Sequence, residues 1–286
     1  MSNTNALVLS GGGLAGIAWH LGMIEALRAG GVDLTTADLV VGTSAGSVVG
    51  AQITTGQLEA AVAQQQRPAT SEIYVDIDLQ SFMAKIAELS SGTTDETEIM
   101  KRFGAYALET ETVSEAARLA AVASRVPVTT WPQRPLKIVA VGATTGELVV
   151  FDRSSGVPLV AAIAASCAVP GVWPPTTIGD QRYIDGGIRS FTNADLAAGH
   201  ARVLILLPVP PNPLHETRLA KELAVLKAAT PTVKTSLLQV DAAAIAAIGP
   251  NPLDPARRGP ALEAGRRQGR ALVDTVRAFW DGADHV

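Results

Sequence analysis

A single cysteine, Cys167, stands in the 286 residues. No intrachain disulfide can form, which excludes the disulfide-stapled frameworks of small extracellular domains. Aromatic residues are scarce at 4%, and much of the 47% apolar content is alanine and valine. Small apolar residues of that kind suit helices packed closely on a parallel sheet, whose buried strands read as short apolar runs. A surplus of positive charge is also missing: acids and bases are interspersed and the net charge is -4. That balance speaks against a nucleic-acid partner. Residues Met1 to Asn5 lack the basic and apolar segments of a signal peptide. The longest apolar stretch, Pro158 to Pro175, is interrupted by Pro170 and Gly171 and is too short to span a bilayer. A cytoplasmic location is therefore expected. The carboxylates Asp76, Asp78, Asp95, Glu96 and Glu98 have no histidine at ligand spacing, so no metal site is expected either.

What the chain does contain is a repeated strand-glycine-helix pattern. Ala6 to Leu9 is an apolar run that stops at glycines, and Ile17, Leu21, Ile24 and Leu27 follow at helical spacing. Leu39 to Val41 is a second run, again closed by glycine, before a small-residue helix from Ala45 to about Thr55. This β-loop-α-β-loop-α opening predicts a doubly wound, mostly parallel sheet in one α/β domain over residues 1–286. Residues 60–130 carry helical patterns and predict a helical insertion or cap over one end of the sheet. Strand signals return at Leu136 to Val141, Glu147 to Phe151, Tyr183-Ile184 and Arg202 to Val209, with an apolar helix from Pro158 to Ala168. The remainder reads as helical, ending in a helix over 256–281 after the link Gly249 to Pro260. That helix sets Leu262, Gly265, Gly269, Leu272, Val276, Phe279 and Trp280 on one face, with Arg266, Arg267, Arg270 and Arg277 opposite. It suits either packing on the sheet or peripheral contact with an anionic membrane surface.

Three segments carry candidate chemistry. Gly42-Thr43-Ser44-Ala45-Gly46 is a G-x-S-x-G between a strand and a helix, the setting in which a strained turn exposes a nucleophilic serine, with Gly42 and Gly46 letting the chain pass. Gly11-Gly12-Gly13 follows the first strand, and consecutive glycines let backbone N–H groups converge on an anion at a helix start. Gly11, Gly13 and Gly16 also fit the dinucleotide fingerprint G-x-G-x-x-G. That reading wants a carboxylate after the second strand, whereas Asp33 and Asp38 fall before it and Ser44 stands in its place. Asp185-Gly186-Gly187 follows a short strand, so its carboxylate projects toward the same edge as Ser44; an ordinary Asp-Gly hairpin turn is the other reading. A Ser-His-Asp triad would have to draw on His200 or His215, since His20 lies within the first helix and His285 in the tail.

Together, the glycine loop, the G-T-S-A-G, the Ser166-to-Pro175 segment and the D-G-G resemble the patatin-like phospholipase family. The likeness runs from about Ala6 to Val209 and is weakest over 60–130. It implies a three-layer α/β/α fold and a Ser-Asp dyad acting on lipid acyl esters without metal or organic cofactor. By motif position Ser44 is the nucleophile, Asp185 the base, and Gly11, Gly12 and Gly13 the oxyanion hole. The sequence departs from the family's pattern at Ser10 and Ala15, where an acid often opens the loop and a basic residue precedes its last glycine. A binding protein that uses the glycine loop for a nucleotide or lipid, without catalysis, is the alternative.

Overall fold

The structure is a computed structural model that describes residues 4–68 and 72–282. Its strands are β1 (Asn5–Leu9), β2 (Leu39–Thr43), β3 (Leu136–Gly142), β4 (Leu148–Phe151), β5 (Thr176–Ile178), β6 (Gln181–Asp185), β7 (Arg202–Leu207) and β8 (Lys234–Gln239). The helices are α1 (Gly13–Ala29), α2 (Ala45–Thr54), α3 (Leu58–Gln65), α4 (Leu79–Leu89), α5 (Glu96–Glu109), α6 (Glu115–Arg125), α7 (Leu159–Ser166), α8 (Pro213–Ala229), α9 (Ala242–Ile248) and α10 (Arg258–Trp280). Strands β3, β2, β1, β7 and β8 lie side by side and parallel, while β4, β5 and β6 add antiparallel pairs beyond β3. The sheet is thus mostly parallel.

Alternation along the central strands assigns the two layers. Leu7 and Leu9 of β1 and Leu204 and Leu206 of β7 face a core shared with α1, α2, α7 and α10. Ala6, Val8, Val203 and Ile205 face the opposite side, where Leu219 and Leu226 of α8 cover them. Because both faces are covered, the alternating positions are all apolar and the strands read as continuous runs. Helices on both faces of a mostly parallel sheet make a three-layer α/β/α fold. Helices α1 and α10 approach until backbones touch: a Cβ at Gly22 would run into the Leu262 carbonyl, and one at Gly265 into that of Trp19. The glycine face of α10 therefore packs inward.

Four helices, α3 to α6, fill the stretch between α2 and β3. Met100, Phe103 and Ala107 of α5 form a separate small core with Val141, Ala143 and Ile184, at the ends of β3 and β6. The last hundred residues differ from expectation in one respect. They contain β8, an edge strand whose sequence KTSLLQ is mostly polar because one of its long edges and part of its faces meet solvent. Among the described residues no helix is long and apolar enough to cross a membrane.

Candidate active site

The Ser44 elbow arises from close packing. Ser44 adopts φ 51°, ψ -115° at the junction of β2 and α2. Only two described non-glycine residues take a positive φ, Ser44 and Asn193, and such conformations persist only where the surroundings over-determine them. The Ser44 N–H donates to Ser166 Oγ at 2.9 Å, and its carbonyl accepts from Ser47 Oγ at 2.7 Å. A Cβ at Gly46 would overlap the Leu9 carbonyl, so α2 crosses β1 only through glycine there, and one at Gly42 would meet Gly46 oxygen at 2.6 Å.

The glycine loop is tied to this elbow. The Ser10 carbonyl accepts from the Gly46 N–H at 3.1 Å and from His20 Nε2 at 3.1 Å. Burial drives the His20 pKa down to about 4, so the ring is neutral at pH 7 and donates through Nε2–H. Of the three glycines, Gly11 requires a correction as an amide donor: its N–H is already given to the Phe191 carbonyl at 3.0 Å. The N–H groups of Gly12, Gly13 and Ala45 have no partner among the described residues. Gly11 nonetheless borders the serine, its Cβ position lying 3.6 Å from Ser44 Cβ.

Strand register brings Asp185 to the serine. β4 occupies one edge of β3, opposite Ile138 to Val141. On the other edge β2 pairs with residues up to Val139, through Thr43, and β6 takes over at Ala140, through Asp185. β2 and β6 therefore run toward each other along one edge and meet at their C-terminal ends, Thr43 against Asp185. Asp185 is 4% exposed. Burial pushes its pKa up to about 6, opposed by hydrogen bonds from the Ser44 side chain and the Gly187 N–H and by the charge of Arg118. The Gly187 bond is the well-formed one, at 2.7 Å. The Ser44 hydroxyl acts on the carboxylate from nearby, without a hydrogen bond of ordinary geometry.

One residue clamps both loops, and sequence reasoning missed it. Asn193 is fully buried at φ 49° in the turn that follows the D-G-G. Its Nδ2 donates to Thr43 Oγ1 at 3.0 Å, Ser190 O at 2.6 Å and Gly186 O at 3.3 Å. Its Oδ1 accepts from Arg189 Nη1 at 2.7 Å, and Arg189 is paired with Asp195 at 2.6 Å. Nothing local in the sequence marks Asn193, because Thr43 lies 150 positions away. Ser166 was traceable in principle, as the lone polar residue of the apolar helix α7.

The histidines lie elsewhere. His200 Nδ1 meets the Ala197 carbonyl at 3.0 Å, and His215 packs on the Phe191 ring at 4.3 Å. Neither is hydrogen-bonded to Ser44 or Asp185, and His285 lies outside the described residues. The acids a dinucleotide would need are in use as well: Asp33 accepts the Thr35 N–H, and Asp38 accepts that of Asn5 at 2.7 Å.

Comparison with known proteins bears on this geometry. The family model for patatin-like phospholipases matches residues 7–198. Over 183 residues the chain is 31% identical to an uncharacterized NTE family protein of Mycobacterium bovis and to two from strains of Mycobacterium tuberculosis. Those matches cover 64% of this chain and 42% of each relative, so it spans less than half the length of the curated proteins it resembles. The crystal structure of VipD from Legionella pneumophila aligns over 96% of this chain and 67% of its own, with 14% identity and a TM-score of 0.43. The family match spans two thirds of the sequence and takes in the glycine loop, Ser44 and Asp185, so the chain belongs to the patatin-like phospholipase family.

Proposed function

We propose that this protein hydrolyses lipid acyl esters through an acyl-enzyme on Ser44, with Asp185 as the base. The observation that carries the reading is the meeting of a strained serine with a buried carboxylate beside unpaired backbone amides. Asp185 takes the Ser44 proton as Oγ attacks the ester carbonyl. The developing oxyanion is held by the N–H groups of Gly12 and Gly13, with that of Ala45, the residue after the nucleophile, as a further donor. Asp185 then returns its proton to the departing alcohol, and water, activated by the same carboxylate, releases the acid. A carboxylate is a weak base toward an alcohol. Burial that lifts its pKa to about 6 narrows the gap while leaving it ionised at pH 7. Oxyanion donors carry much of the remaining barrier, each worth on the order of 3 kcal/mol.

Ser44→Ala is expected to abolish turnover of p-nitrophenyl and lipid esters together with fluorophosphonate labelling. Asp185→Asn should do the same, while His200→Ala and His215→Ala retain activity. Retained turnover in Ser44→Ala contradicts the assignment, and loss confined to a histidine variant points to a triad.

A further inference from the structure

Arg118 is a buried cation without a bonded counter-ion. It projects from α6, is 5% exposed, and its guanidinium carbon lies 3.9 Å from the centre of the Trp173 ring. Stacking engages the face of a guanidinium and leaves its in-plane N–H groups unserved. Nε and Nη1 are shielded from water and have no hydrogen-bond partner among the described residues. Nη2 likewise has no hydrogen-bond partner among the described residues, and it is not among the nitrogens shut off from water. Arg125, two turns along the same helix and equally buried, provides the internal contrast: its Nε and Nη2 bind both oxygens of Glu72, at 3.0 and 2.5 Å. A buried donor left unpaired is costly, and a buried charge more so, which is why such a group calls for a partner that the chain itself does not supply.

The surroundings place this cation at the dyad. α6 packs on α7, whose C-terminal end and the residues just after it hold both catalytic candidates: Ser166 Oγ receives the Ser44 N–H, and the Ala168 carbonyl receives that of Asp185. Arg118 is felt electrostatically by Asp185 and by Cys167, within the same turn. The chain's own acids nearby are committed, Glu72 to Arg125 and Asp185 to Gly187 and Ser44. The Cys167 thiol is kept protonated by burial.

We propose that Arg118 is an anion-binding group of the substrate site, taking a phosphate or a free carboxylate carried by the ester. A guanidinium in a water-poor setting binds such a two-oxygen anion through paired, charge-assisted hydrogen bonds. The cation thus comes from the helical cap, while position 15 of the glycine loop holds alanine.

The inference rests on the esterase reading, and two measurements on the full chain keep them apart. The first compares matched esters differing in one anionic group: lysophosphatidic acid against monoacylglycerol, and mono-p-nitrophenyl glutarate against p-nitrophenyl butyrate. Arg118→Met should raise KM for an anionic member about tenfold or more, the worth of a charged hydrogen bond, and leave its neutral partner within about twofold. Arg118→Lys should recover part of the loss. A split confined to the phosphate pair identifies a phosphate ligand, and one confined to the glutarate pair a carboxylate. Equal losses within both pairs, or none, overturn the proposal. The second measurement is equilibrium binding of inorganic phosphate and of glutarate to Ser44→Ala, with and without Arg118→Met. Binding that depends on Arg118 in a protein without ester turnover would sustain the anion site while the esterase reading fails. Absence of Arg118-dependent binding together with absence of a KM split removes the site.

Discussion

Ser44 is held at φ 51°, a backbone conformation that costs a non-glycine residue on the order of 1–3 kcal/mol. Ser44→Gly is therefore expected to melt higher than Ser44→Ala while both are inactive, a difference readable by thermal denaturation. Asp185 carries a comparable cost. Its folded pKa, raised from 3.8 to about 6, means that the folded state holds this proton more tightly than the unfolded state does. The stabilising contribution is present below about 3.8 and is lost as pH rises through about 6. At neutral pH the ionised carboxylate is a net cost, about 3 kcal/mol for a shift of this size. Asp185→Asn, which keeps the acceptor for Gly187, should raise the melting temperature at pH 7 and lose it no activity-independent contact. His20 runs the opposite way. With a folded pKa lowered from 6.5 to about 4, it withholds a proton that the unfolded chain takes up, so stability falls as pH drops across that interval. Melting curves of wild type and His20→Gln between pH 4 and 7 separate this contribution from the others.

Among the elements, those that were plain in the sequence are the ones whose pattern is local. β1, β2, β3 and β7 are covered on both faces and appear as apolar runs closed by glycine or a turn. The serine elbow and the glycine loop sit at the ends of two of them, which is why these motifs stood out in the sequence, although the bond from the Gly11 N–H to Phe191 did not. β8 was not plain, because an edge strand with a mostly polar sequence between two helices shows no period-2 pattern of its own. The mating of β2 and β6 end to end was invisible for a different reason. It depends on register along β3, a property of strands distant in the chain. The clamp built by Asn193 has the same character, and it makes a testable claim about positioning. Asn193→Ala should lower kcat by about tenfold to a hundredfold with little change in KM, since Thr43 and Gly186 flank Ser44 and Asp185, the proposed reacting groups, and misplacement near the chemistry is costly. The acid limb of the pH profile should also shift as the Asp185 environment loosens. An unchanged profile with a general loss of folded protein marks Asn193 as merely structural.

Across the whole molecule, ion pairs join the cap to the sheet's far layer. Glu96, in the first turn of α5, pairs with Arg218 and Lys221 of α8, and next to Lys221 the buried Glu222 binds Thr192 and the Ala194 N–H beside Asn193. The cap is thereby coupled to the loop that carries the clamp. Three arginines of α10 are paired as well: Arg266 with Glu25, Arg267 with Asp241 and Arg277 with Asp274. Charge reversal at Arg266, the most buried of these, is expected to lower thermal stability, whereas a lipid-facing role would show as lost vesicle co-sedimentation with stability intact.

The measurement closest to the centre of this picture is the rate of fluorophosphonate capture at Ser44 as a function of pH, with the adduct located by mass spectrometry. A Ser44–Asp185 pair predicts a rate that climbs with a midpoint near 6, collapses in Asp185→Asn, and is unaltered in His200→Ala and His215→Ala. Labelling of Asp185→Asn at the wild-type rate, or a midpoint that moves with either histidine, would contradict it.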